Sequence, residues 1–143
     1  MADTVSVEYL YPPNWDLNPP ESGGWRRVIA QLRGVSDGTG ETDVQKIDIS
    51  ELRTTDGRVP TRTAVEWIQY SVSEGWSVLL EWDRSPNSVI ARLTGSGELD
   101  WTKTGGKPDA SEAGDRTGDI QLTTVGAAAN DSYDITICLK LKV

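Results

Sequence analysis

The sequence predicts an all-β fold: an antiparallel β-sandwich of about eight to ten strands, with jelly-roll or related Greek-key topology. Three observations lead there. The chain ends in an unbroken alternation, YDITICLKLKV, with Tyr133, Ile135, Ile137, Leu139 and Leu141 on one side and Asp134, Thr136, Cys138, Lys140 and Lys142 on the other. Successive side chains of an extended strand point to opposite faces, so one side of this strand is buried and the other mostly wet. Short β-rich runs then recur along the chain between Gly, Pro, Asn and Asp turn signals. No stretch has a convincing helical period, and there is no internal repeat. A terminal amphipathic strand needs partners, from the preceding residues or from a neighbouring copy. The sequence alone leaves the strand order open.

Taken in order, Thr4–Tyr11 reads as a first strand with Val5, Val7 and Tyr9 on one face. Pro12 and Pro13 end it, because proline donates no ladder hydrogen bond. Residues 12–25 form a Pro-rich loop that carries Trp15 and Leu17. Trp25–Arg33 has the length of either element; the β-branched Val28-Ile29 pair and the following Gly34 favour strand. Val35–Thr42 is a turn rich in Asp and Gly. Asp43–Ser50 is a strand with room for a bulge, and Ser50–Arg53 a single helical turn before Thr55-Asp56-Gly57. Thr63–Val72 fits either period, and its β-rich composition favours strand. Glu74-Gly75 then turns into Trp76–Asp83, where Trp76, Val78, Leu80 and Trp82 share a face, so the two runs read as a hairpin. Ser88–Thr94, Glu98–Trp101 and Asp119–Thr124 supply further strands. Residues 102–118 form a polar flap with no periodicity, longer than an ordinary connector and therefore a functional excursion or a mobile segment.

The 143 residues suit one domain. A chain of this size buries roughly two thirds of its unfolded surface and supports a core without staples. No run approaches the ~20 apolar residues of a membrane helix. The N-terminus lacks a basic start and an apolar stretch, so no secretory signal is expected. The single Cys138 cannot form an internal disulfide, which fits synthesis in a reducing cytoplasm. A net charge of −8 argues against nucleic acid and against an anionic membrane as partners, and favours solubility. The aromatic set is six Trp, four Tyr and no Phe, so a mixture of core and exposed indoles is expected.

Little catalytic chemistry is on offer. With no histidine, Ser-His and Cys-His nucleophile pairs and the usual transition-metal sets are absent, and one cysteine cannot hold zinc. No phosphate-binding or dinucleotide fingerprint occurs. No catalytic residue, cofactor site or metal site is therefore expected. Glu66, Glu81 and Asp83, near Trp67 and Trp82, are the one carboxylate set a glycosidase could use; the polar faces of ordinary strands are the better account, since Glu81 alternates against the tryptophan side of its strand. The Asp37–Glu41 and Asp109–Asp119 stretches are acidic and Gly-rich, as calcium loops are, but lack the EF-hand spacing and read better as solvated turns. The tryptophans also suit a carbohydrate-binding module, where rings stack on sugars, although buried or interface indoles are the commoner explanation. Cys138, in the polar register of the last strand, reads as a small filler rather than a reactive thiol.

Several runs carry a resemblance: YLYPPNWD near the start, SDGTGETDVQKIDISELRTTDGRVPTRTAVEWIQYSV with VLLEWDR in the middle, and GDIQLTT with SYDITICLKLK at the end. Across most of its length the chain resembles small capsid decoration (cement) proteins of tailed, mainly short-tailed, bacteriophages. The resemblance implies a non-enzymatic virion protein made in the host cytoplasm, seated on the outer surface of the assembled head. It also implies the major capsid protein as partner and a homo-oligomer, a trimer rather than a dimer. It transfers no site residues one by one. The apolar residues of non-core stretches, Trp15, Leu17 and Trp25, are the expected partner contacts, with packing onto their own sandwich as the alternative. The second functional expectation is a carbohydrate-binding β-sandwich of a phage tail or fibre.

Overall fold

The structure, a computed structural model, describes residues 4–11, 27–49, 62–83, 87–108, 118–126 and 128–142. They form ten strands, with a 3-10 turn at Thr102–Thr104 and no α-helix among the described residues. The strands are β1 (Thr4–Tyr11), β2 (Arg27–Asp37), β3 (Val44–Ile47), β4 (Arg62–Val72), β5 (Ser77–Trp82), β6 (Ser88–Leu93), β7 (Ser96–Asp100), β8 (Lys107–Pro108), β9 (Ile120–Val125) and β10 (Ala129–Lys142). Two antiparallel sheets result. The larger has the order β1-β2-β10-β4-β7, with the two-residue β8 also on β4; the smaller has the order β3-β9-β5-β6.

This order is a jelly roll. Outward from the β5–β6 pair, β4 pairs with β7, β3 with β9 and β2 with β10. The chain is one long antiparallel ribbon doubled back on itself. Wrapping that ribbon brings β10 beside β4 and β9 beside β5, and places successive pairs of the ribbon (β5–β6, β4–β7, β3–β9, β2–β10) in alternate layers. β1 then extends the larger sheet past β2. The expected β-sandwich is present, but the expected hairpin at Glu74-Gly75 is not. β4 and β5 lie in different sheets, so this turn crosses between the layers, and the partner of β5 is β6. Alternation shows which side of a strand is apolar. It does not show whether the next strand lies beside it or across the core.

The core fills the space between the layers. Val28, Ala30 and Leu32 of β2, Ile135, Ile137 and Leu139 of β10 and Ile68 of β4 are buried against Val78, Leu80 and Trp82 of β5 and Ile120 and Leu122 of β9. At two of the register shifts in these ladders the inserted residue is charged, and the bulge re-aims its side chain. In β3, Gln45 pairs with Gln121 and Ile47 with Ile120, leaving Lys46 as the extra residue. Its ammonium lies 2.5 Å from Oε2 of Glu41, the two side chains being 3% and 6% exposed. The Tyr133 hydroxyl donates to Oε1 of the same carboxylate at 2.6 Å. Glu41 arrives there because its loop docks on β9: its N–H donates to Thr124 Oγ1 at 2.8 Å, and its carbonyl accepts from Thr124 N–H at 2.9 Å. The second bulge, at Glu66 in β4, faces the other way and belongs to the outer surface.

Two glycines make room for tyrosines. Gly34 pairs across strands with Tyr133, and Gly97 with Tyr70. A Cβ at Gly34 would come within 2.5 Å of the Tyr133 ring, and one at Gly97 within 2.8 Å of the Tyr70 hydroxyl. Each ring thus occupies the space a side chain would take on the neighbouring strand.

Gly34→Ala is expected to lower unfolding free energy by about 1–3 kcal/mol, the cost of overpacking a filled site, measured by urea titration. Lys46→Met alone, which strands the buried Glu41 carboxylate, should cost about 3–5 kcal/mol. Adding Glu41→Gln to Lys46→Met keeps an acceptor for Tyr133 and removes the charge, so the double variant should recover part of that loss in the same titration.

Candidate functional site

The outer side of the larger sheet carries a chemically distinctive surface. Register sets it out in rows. Glu8, Gln31, Thr136, Gln69 and Glu98 lie in cross-strand line over β1, β2, β10, β4 and β7. Ser6, Arg33, Asp134, Ser71 and Ser96 form the next row. Ile29, Cys138, Trp67 and Asp100 form the row on the other side. Trp67 shares the outward side of β4 with Gln69 and Ser71, and its ring is half-buried. Within this surface Gln31 Nε2 donates to Asp134 Oδ1 at 2.9 Å and Gln69 Nε2 donates to Glu98 Oε2 at 3.1 Å. Arg33 Nε lies 3.5 Å from Asp134 Oδ2. Two shallow depressions, of about 550 and 350 Å3, share Ser71 and Asp134 and run together over these rows.

Beside the rows sits the Glu66 bulge. Trp67 pairs with Cys138 and Val65 with Leu139, so Glu66 is the inserted residue. Its carboxylate is buried on the outward side and is held by Arg27 Nε. The hydrogen bond to Glu66, and then its charge, push the Arg27 guanidinium further above its ordinary value. The Glu66 carbonyl accepts from Trp101 N–H at 2.8 Å, which fixes the chain as it leaves β7. Asp100 secures the following turn, accepting from Thr102 N–H at 2.8 Å and from its hydroxyl at 2.5 Å; that hydroxyl is the first cause of its lowered pKa. Cys138 is 2% exposed despite its outward register. Burial is the main cause of a thiol pKa pushed up from 9.0 to about 11, with the Glu66 charge second and Arg27 opposing. The expectation of an unreactive filler agrees with this environment.

The other sequence-predicted groups separate. Glu66 stands on the larger sheet and Glu81 on the smaller, where Thr123 Oγ1 donates to it at 2.9 Å. β4 and β5 lie in opposite layers, so the two carboxylates do not share a site. The Asp37–Glu41 stretch is a turn: Asp37 Oδ1 accepts from the N–H and hydroxyl of Thr39 at 3.1 and 2.6 Å, while Glu41 points inward to Lys46. Among the described residues no group of three or more carboxylate, thiol or imidazole side chains is placed to hold a metal ion. Asp119 has its pKa raised by burial first, with Asp48 and Asp83 adding to it and the Ile49 N–H and Gln45 amide opposing. Of the flap at 102–118, the first part is pinned: Lys107 and Pro108 pair with Val65 and Ala64, and Lys107 Nζ donates to Ile90 O at 2.8 Å while lying 5.3 Å from the Trp101 ring centre. Residues 109–117 lie outside the described residues, as do the loop at 12–25 with Trp15, Leu17 and Trp25, and the helical turn expected at 50–53. Trp76 and Trp82 are core, and Trp67 and Trp101 are half-buried; none of the described tryptophans is exposed, and Trp15 and Trp25 lie outside the described residues.

A further depression of about 530 Å3 lies where the Ser73–Trp76, Thr94–Gly95 and Val125–Gly126 turns converge. Trp76 Nε1 and Ser77 Oγ have no protein partner there, but both atoms are covered, so a ligand in the depression does not reach them. The polar rows on the larger sheet escaped sequence reading. Each of their members looks like an ordinary wet position, and only the register aligns them. In comparisons with known proteins, no family model, no curated protein and no solved structure matches this chain.

Cys138 should resist thiol reagents in the folded protein at pH 8 and react once urea unfolds it. Its folded-state pKa lies above the unfolded one, so its contribution to stability is present below about pH 9 and lost as pH rises towards 11. Urea titrations across that window should show stability falling with pH, with a shallower fall in Cys138→Ala.

Proposed function

We propose that this chain is a capsid decoration protein: a non-enzymatic virion component, made in the host cytoplasm, that binds the outer surface of an assembled phage head and stabilises the shell. Its partners in this reading are the major capsid protein and further copies of itself, with a trimer favoured over a dimer. The sequence resemblance supplies the class. The structural observation that supports it is how the jelly roll distributes its connections. Arg27, Lys140, Ala64 and Pro108 lie in one row at one end of the larger sheet. Tyr11, Arg62 and Gly118 flank that row: Tyr11 pairs with Ile29, Arg62 with Lys142, and the Gly118 carbonyl accepts from the Thr63 hydroxyl at 2.9 Å. Residues 12–26, 50–61 and 109–117 therefore all attach at this end, while short turns such as Glu74-Gly75 and Thr94-Gly95 close the opposite one. A scaffold with its long connections gathered at one end suits a protein that docks end-on, and the expected contacts Trp15, Leu17 and Trp25 belong to one of those connections. The open edge of β1, where Val5 and Leu10 are exposed, is the described surface best suited to self-association.

The mechanism is linkage. A protein that binds the expanded shell and not its alternatives stabilises that state by its binding free energy. Oligomerisation multiplies weak contacts into avidity. Added to purified heads that lack it, the protein should bind saturably and raise the temperature at which heads release their contents. Trp15→Ala should weaken binding by about 30-fold or more if it is a central anchor, with the melting temperature of the free protein unchanged. Heads that bind no protein at saturating concentration would remove this reading.

A further inference from the structure

We propose that the outer face of the larger sheet is a binding site for a neutral glycan, in which Gln31, Gln69, Thr136, Asp134 and Glu98 hydrogen-bond sugar hydroxyls and Trp67 stacks against a ring. The inference goes beyond the capsid reading and does not depend on it, because it concerns a face rather than the end from which the long connections leave.

The first support is the kind of group present. A sugar hydroxyl is a donor and an acceptor at once, and neighbouring hydroxyls come in pairs. They are matched by planar groups with two adjacent sites, namely amides and carboxylates. The two depressions that merge over this face are lined by such groups, with Thr136, Ser71, Ser73 and Ser132 hydroxyls between them. Each amide is already half-engaged: Gln31 by Asp134 at 2.9 Å and Gln69 by Glu98 at 3.1 Å. One N–H of each fixes its orientation, leaving the other N–H and the carbonyl for a ligand. Side chains held in position before binding lose little freedom on binding.

The second support is charge. Glu8, Glu98, Asp134 and Asp100 lie on this face, and its two arginines are engaged, Arg33 beside Asp134 and Arg27 on Glu66. Over the amide and serine rows an anionic glycan, a nucleic acid or an acidic peptide would meet Glu8, Glu98 and Asp134 with Arg33 as the one cation, already beside Asp134; Lys140 stands apart, in the row with Arg27. A protein partner of ordinary type is disfavoured as well, since protein interfaces centre on apolar anchors. The amide and serine rows carry no apolar outward side chain; Ile29, Cys138 and Trp67 lie in the row on one side of them, and Val35, 47% exposed, lies beyond them on the other. A half-buried indole beside a strip of amides and hydroxyls suits the apolar face of a sugar ring, with the hydroxyls reaching across the strip.

The isolated protein is the material for the test. Its side-chain amide resonances would be followed by two-dimensional NMR while soluble neutral hexasaccharides are added: gluco-, manno-, galacto- and xylo-oligomers, each to 10 mM, beside a sialylated and a sulfated oligosaccharide. At least one neutral oligomer is expected to shift the Gln31 and Gln69 amide signals saturably and to quench tryptophan fluorescence. Gln69→Ala, at an exposed position, should reduce that affinity at least tenfold with an unchanged urea midpoint, and Trp67→Ala should reduce it further. No shift with any neutral oligomer, response only to the anionic sugars, or shifts that persist in Gln69→Ala would each overturn the proposal. None of these results bears on whether the protein binds heads.

Discussion

The structure depends on β10 having neighbours on both sides along almost its whole length. It pairs with β2 from Ala129 to Lys140 and with β4 from Tyr133 to Lys142. These two ladders join the last strand of the chain to one near the start and one near the middle. Neither pairing is local, and a wrapped ribbon is the simplest path that satisfies both. Once β10 is inserted between β2 and β4, the ribbon logic places β9 between β3 and β5 in the other layer. The loop-closure entropy of such distant pairings is recovered only when the inward sides of both layers meet, so the sheets and the core form as one unit.

Within that frame, buried charge among the described residues stands at two places, and each is built on a bulge. An inserted residue breaks the two-residue period and can turn a side chain where the pleat would not send it. Lys46 uses this to enter the space between the layers, and Glu66 to press into the outward surface beside Cys138. Each meets an opposite charge supplied by another segment, the docked loop for Lys46 and the first residue of β2 for Glu66. A buried ion pair is weak evidence for stability in itself, because desolvation offsets much of its attraction. Its stronger consequence is registry. Glu41 finds Lys46 and the Tyr133 hydroxyl together only if β3, β10 and the loop on β9 are all in place, and a one-residue slip in any of them would strand a charge.

Much of this was legible in residue patterns. The terminal alternation located β10 and its inward side, and Trp76, Val78, Leu80 and Trp82 located the inward side of β5, because burial on one face leaves a period of two. The jelly-roll order was not legible, since alternation is identical for strands that neighbour each other in a sheet and strands that face each other across a core. The β4–β5 misreading has that origin. The bulge at Glu66 also explains why β4 fitted no single period: Val65 and Ile68 are both buried, three positions apart, and an inserted residue between them makes a strand resemble a helix. The polar rows were invisible for a third reason. Gln31, Gln69, Thr136 and Glu98 come from four separate stretches, and each alone is only the wet side of a strand.

The jelly roll thereby keeps two kinds of surface apart. Its ends carry the connections, whose length and sequence can change with little effect on the ladders. Its faces are fixed by register, and a face side chain stays where the cross-strand pairs put it. A contact that must adapt to another protein is therefore best carried by an end, where Trp15, Leu17 and Trp25 belong in the sequence. A site that must hold several polar groups at set spacing is best carried by a face, where the Gln31–Asp134 and Gln69–Glu98 bonds already hold two amides in place. Use of the end does not obstruct the face. For a shell-bound protein, an end-on attachment leaves the side of the sandwich clear of the shell, and a flat polar strip displayed in many copies there would turn weak single-site binding into strong attachment through avidity.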